Sequence, residues 1–227
     1  MIPLAELTAC LDFYVHQWDE ESSLMFTEKV NLEGARVFVR QWGLFTRHSR
    51  QCWANVVGNC PIVEARRFMV KENLYEEEGD IRTSHFEKLV RLGLRLGLDR
   101  EEIENATPLP STEAALLGWE ALTRNRSWLR GLAAKAVLER IGFGKNRREI
   151  MARQWMEELQ LSEEDADFFL LHLKADQIHG EGAYELLSRY AEPLDLPPLR
   201  EAARQSLVLM SLYRGGLAET MLPASIR

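Results

Sequence analysis

Apolar residues recur three and four positions apart along almost the whole chain, the spacing that lines one face of a helix. Alternating β-branched runs are scarce, and no Asn-Gly or Asp-Gly hairpin signal occurs. The pattern predicts helices over about 3–18, 32–57 and 62–78. A turn at 58–61 ends the second of these, and the Gly79-Asp80 pair ends the third. A fourth helix is expected over 84–97, with a glycine near its C-terminus. Asp99 and Glu102 form a capping box for a short fifth. Further helices are expected over about 112–123, 128–141 and 147–160. The run SEED at 162–165 is expected to cap the next one. Pro193, Pro197 and Pro198 precede a last helix over about 199–213, and the tail from Arg214 is expected to be loose. Connections are short, and there is no linker, repeat or low-complexity tract. The reading is all-α: a single helical domain, 1–227, with seven or eight major helices.

Composition narrows the classes. The chain has 227 residues, 46% hydrophobic and 28% charged, and a formal net charge of −7. That length in one bundle buries a sizeable core. The negative charge argues against nonspecific binding to nucleic acid or to an anionic membrane. No apolar run approaches a membrane span, and the N-terminus lacks the signature of a secretory signal, so a cytoplasmic protein is expected. Three cysteines with no CxxC pair are expected to be reduced thiols. Cys52 keeps a small claim as a nucleophile.

The candidate chemistry lies in FFLLHLKADQIHGEG. At about 100° per residue, Asp176 projects about 40° from His172, and His179 about 20° on the other side. Two of the chain's five histidines and an aspartate thus share one narrow helix face. The plainer alternative is a polar face, or core histidines bonded to the aspartate. A metal would need further ligands from facing helices. His85 shares a stripe with Leu89, Leu92 and Leu96. Glu139 follows Leu132 and Ala136 at helical spacing and is the only acid in an apolar stretch, although an exposed pair with Lys135 would also explain it. The run Glu76, Glu77, Glu78 closes the third helix, where carboxylates oppose the dipole and a nearby cation would account for them. Taking Phe68, Val70 and Leu74 as the apolar side puts Glu77 on that side.

Together, Glu77, His85, Glu139 and the H-x3-D-x2-H element resemble the ligand order of the haem-oxygenase-like di-iron oxidases and oxygenases. The pyrroloquinoline-quinone synthase and thiaminase folds are related to that family. NLYEEEG looks like its acidic third-helix signature. PIVEARRFMVKEN is similar to the segment that precedes it and LGLDREEIENATP to the segment after the first histidine, and the resemblance spans about 26–187. It departs from the family in the GFGK break after Glu139 and in one extra residue between Glu77 and His85 and again between Glu139 and His172. Glu78 is therefore an alternative to Glu77. The resemblance implies a haem-oxygenase-like helical bundle in which Glu77, His85, Glu139, His172, Asp176 and His179 bind two ferrous ions, with manganese as the alternative metal. It also implies O2 as co-substrate and oxidation of a small metabolite by desaturation, C–C cleavage or N-oxygenation.

An amino acid or amino-acid-like molecule is the expected substrate, with Arg47 or Lys135 as its carboxylate anchor. Expected partners are that small molecule and an external reductant. A homodimer is considered, and nucleic acid and membrane are not expected. Three other readings stand beside this one: a metal-free thiaminase-like enzyme using Cys52, a non-catalytic helical binding protein, and self-modification at a residue such as Tyr14 or Tyr75.

Overall fold

The computed structural model describes residues 1–21, 30–75, 84–124, 127–141 and 147–221, without the side chains of 21, 147–148, 171–179 and 221. All regular structure among them is helical: α1 (Leu4–Glu21), α2 (Leu32–Asn59), α3 (Val63–Met69), α4 (His85–Arg95), α5 (Arg100–Glu104), α6 (Pro110–Arg124), α7 (Trp128–Glu139), α8 (Arg147–Glu158), α9 (Asp167–Tyr190) and α10 (Leu196–Met221). None of these helices is long and apolar enough to cross a membrane.

The centre of the bundle is α7. Its positions 131–138 are all buried, because LAAKAVL is apolar around nearly its whole circumference and can find partners on every side. It packs against α2, α6, α9 and α10. Several local signals act as their residue types dictate. Asn31 caps α2 by accepting from the Gly34 N–H at 2.7 Å. Asp99 and Glu102 complete the expected capping box. After α4, Gly97 takes φ +82°, while the Leu98 N–H reaches the Gly93 carbonyl and the Gly97 N–H the Leu94 carbonyl. This is a Schellman ending, and its left-handed residue favours glycine.

Four expectations are corrected. The third helix keeps α geometry only to Met69 and continues as a π-helix, Val70–Tyr75. The wider turn shifts the phase, so the buried residues are Ala65, Met69 and Asn73, whereas Val70 is exposed. Ser162 and Asp165 bond each other's backbone N–H in a turn that precedes α9, whose N-cap is Ala166. Pro197 and Pro198 lie inside the first turn of α10, where a missing N–H costs no helical bond. That helix also runs on through Met221, because Leu217 continues its buried stripe beyond Tyr213. The expected loose tail therefore begins no earlier than 222, outside the described residues.

Candidate functional site

Two of the six expected metal ligands have described side chains, and both line one cavity of about 100 Å³ between α2, α4, α7 and α9. His85 opens α4, capped by Ser84, whose hydroxyl accepts from the Glu87 N–H at 3.2 Å. The cap turns His85 inward, where it is 5% exposed on the same face as Leu89 and Leu92. Glu139 ends α7 and is partly buried at the cavity wall. The alternative of a surface pair with Lys135 is not realised, because the Lys135 ammonium donates to the Ser49 hydroxyl at 2.7 Å.

The backbone of α9 carries His172, Asp176 and His179, whose side chains are outside the described set. The glycine after them shows how closely this helix approaches Glu139. A Cβ built on Gly180 would lie 2.8 Å from Arg140 Cγ and 3.7 Å from Glu139 Cβ. One built on Gly182 would lie 2.2 Å from Phe68 Cζ. The helix bearing the expected ligands is thus seated against the end of α7 and against α3 by two small residues. Glu76, Glu77 and Glu78 lie outside the described residues, directly after the π-helix. π-Turns within helices are frequent at functional sites.

Arg140, next to Glu139, is held by a buried ion pair. It donates through Nε to Asp12 Oδ1 at 2.7 Å and through a second nitrogen to the other carboxylate oxygen. The Tyr184 hydroxyl donates to the same Asp12 at 3.0 Å. Burial above all, then the Asp12 charge, pushes the Tyr184 phenol far above its ordinary range, so it stays a donor. This network joins α1, the end of α7 and α9 beside the site.

The remaining walls are aromatic. Phe38, Trp42, Phe45 and Trp53 form a stripe on α2 and meet Phe169 from α9, with Phe38 and Trp42 stacked at 4.9 Å and the Phe169 ring tilted against Phe38 at 5.8 Å. The Asn73 amide, 1% exposed, reaches this cavity, and among the described residues neither its nitrogen nor its oxygen has a hydrogen-bond partner. A buried amide in that state asks for a partner. Arg214 also lines the cavity, between the rings of Trp18 and Trp42. Arg47 does not belong to the cavity wall. It lies over the Phe86 ring and donates to the Gly43 carbonyl.

Sequence reading missed Asn73, Ser49, Arg214 and Gly180. Only Gly180 left a signal, since two glycines inside a helix imply a packing reason.

The other nucleophile candidate sits elsewhere. Cys52 is 1% exposed, with Sγ 3.4 Å from His48 Nδ1, and His48 Nε2 lies 3.8 Å from Glu120. Burial first, and then the Lys135 charge, lower the His48 pKa, so the ring tends to be neutral and gives a thiolate little support. Cys10, Cys52 and Cys60 are not joined in disulfides. Tyr75, considered for self-modification, is exposed.

A family model described as iron-containing redox enzyme matches residues 36–210. The chain belongs to that family. Solved structures with a similar fold include a domain of unknown function with a haem-oxygenase-like fold from Shewanella denitrificans OS217. It is 18% identical with a TM-score of 0.79, over 97% of this chain and 94% of that one. A TenA homologue from Pseudomonas syringae pv. tomato DC3000 is 13% identical with a TM-score of 0.74, over 96% and 98%. A CADD-like protein of unknown function from Nostoc punctiforme PCC 73102 is 16% identical with a TM-score of 0.72, over 94% and 99%. No curated protein matches the chain. At these identities the structures establish the haem-oxygenase-like fold of this family member and nothing finer.

Proposed function

We propose that this iron-containing redox enzyme is a non-haem di-iron oxidase or oxygenase acting on a small amino acid or a related carboxylic acid. The observation that carries the reading is that His85 and Glu139, far apart in sequence, line one largely buried cavity, with α9 packed directly on Glu139 at Gly180. Glu77, His85, Glu139, His172, Asp176 and His179 would hold the metal, a set of three carboxylates and three imidazoles that suits iron or manganese. The steps of four from Ala65 to Met69 to Asn73 lead, in sequence, to Glu77. The Asn73 amide, without a hydrogen-bond partner among the described residues, is a further group for a ligand in the cavity.

When bound, two ferrous ions supply the reducing power and the binding positions for O2. The chain's own residues do the rest. The three carboxylates would offset the charge of the ions. The rings of Phe38, Trp42 and Phe169 exclude water from the cavity and offer an apolar surface to the substrate. The Asp12–Arg140–Tyr184 network fixes the end of α7, and with it Glu139. An external reductant would restore the ferrous state between turnovers.

The test is oxygen consumption by anaerobically iron-loaded protein on a panel of amino acids and short carboxylic acids. Substrate-dependent uptake is expected in the wild type and its loss, by a factor of at least about 10², in His172→Ala and Glu139→Ala. Full turnover of any substrate in the presence of a chelator would instead favour a metal-free, thiaminase-like enzyme. Against that alternative, the Cys52 sulfur is buried beside a neutral-leaning imidazole and is not part of the cavity wall.

A further inference from the structure

Lys135 is 3% exposed in the middle of the most buried helix of the bundle. Buried lysines are ordinarily matched by a carboxylate, because an unmatched ammonium costs several kcal/mol in a medium of low dielectric. Among the described residues no carboxylate comes within ion-pair distance of Lys135. Its partners are the Ser49 hydroxyl at 2.7 Å and the ring faces of Trp53 and Phe45, at 5.3 and 5.9 Å. All four residues line the cavity that holds His85 and Glu139. A hydroxyl and two ring faces satisfy an ammonium in part and leave donor capacity directed at the cavity. Lys135 also stands one helical turn before Glu139, roughly 6 Å along the axis.

We propose that Lys135 and Ser49 form the anchor for the substrate's anionic group, and that the substrate is a small monocarboxylate whose apolar body lies along Phe45 and Trp42 towards Glu139. This rests on the di-iron reading only for the identity of the cavity as the reaction site; the anchor itself is a property of the metal-free protein. A single ammonium with one hydroxyl matches a singly charged carboxylate. Beside Lys135 and Ser49 the wall is made of ring faces, which offer no donor to further anionic oxygens, and Arg214, the other cation lining the cavity, lies between the rings of Trp18 and Trp42. Asn73 offers both a donor and an acceptor to a second polar group on the same molecule.

The experiment uses the full chain without metal. Phenylacetate and its neutral analogue phenylacetamide are titrated separately and followed by tryptophan fluorescence and calorimetry. Phenylacetate is expected to bind at least tenfold more tightly than the amide. Lys135→Met is expected to abolish that preference and Ser49→Ala to reduce it several-fold, whereas Arg214→Gln leaves it in place. The proposal is overturned if the wild type does not bind phenylacetate, or binds acid and amide alike. It is equally overturned if Lys135→Met keeps the preference or if Arg214→Gln alone removes it. Should Lys135→Met lack the wild-type circular dichroism, the wild-type ratio and Ser49→Ala decide the question. Ferrous uptake, measured in parallel, separates the two readings. An acid preference without iron uptake leaves the anchor standing and defeats the di-iron assignment; iron uptake without an acid preference does the reverse.

Discussion

Asp12, Arg140 and Tyr184 form the residue-scale device with the clearest energetic consequence. Asp12 and Arg140 are both largely buried, and removing one partner of such a pair strands the other charge. Asp12→Asn is therefore expected to destabilise the fold by about 3–5 kcal/mol, read as a fall in the denaturant midpoint at unchanged m-value. A shift within error would mean that the pair contributes little. His48 provides a pH signature. Its imidazole titrates below its ordinary value because burial and the Lys135 charge disfavour the protonated ring, so in that range the unfolded chain binds a proton that the native protein does not. Stability is then intact above about pH 6.5 and declines as pH falls towards the lowered value. His48→Gln is expected to flatten this part of the Tm-against-pH curve, and an unchanged slope would contradict the assignment.

At the scale of elements, the packing of α9 decides whether its three expected ligands meet Glu139. Alanine in place of a helical glycine normally gains about 1 kcal/mol of helix propensity. Here the new methyl would press on Arg140, which Asp12 prevents from moving. Gly180→Ala is expected to lower Tm and Gly180→Val to lower it further, with a parallel loss of iron binding; a gain in Tm would show that α9 stands further from α7. Most helices were legible in the sequence because their signals are local. The Asp99 cap, the Gly97 ending and the apolar LAAKAVL run each act within a few residues. The π-helix at 70–75 was not legible, since one wider turn leaves no compositional mark and only the reversed exposure of Val70 and Asn73 reveals it. The inward turn of His85 was readable from its stripe with Leu89 and Leu92. The partnership of Lys135 with Ser49 was not, because it depends on which face of α2 meets α7. The position of Arg47 over Phe86, outside the cavity wall, depends on the same choice of face.

The whole molecule places an apolar central helix inside a ring of amphipathic ones and interrupts its interior at a few polar side chains. His85, Glu139, Lys135 and Asn73 are buried or partly buried at a single cavity, although their burial is costly and the bundle would be simpler without them. That concentration, together with membership of the iron-containing redox enzyme family, makes metal loading the property on which the reading stands. Anaerobic titration of the metal-free protein with ferrous iron, followed by desalting and iron analysis, measures it most directly. Two ions per wild-type chain are expected, with a clear drop in His85→Ala and in Glu139→Ala. No iron above trace in the wild type, or equal retention in both variants, would contradict a metal centre at this cavity.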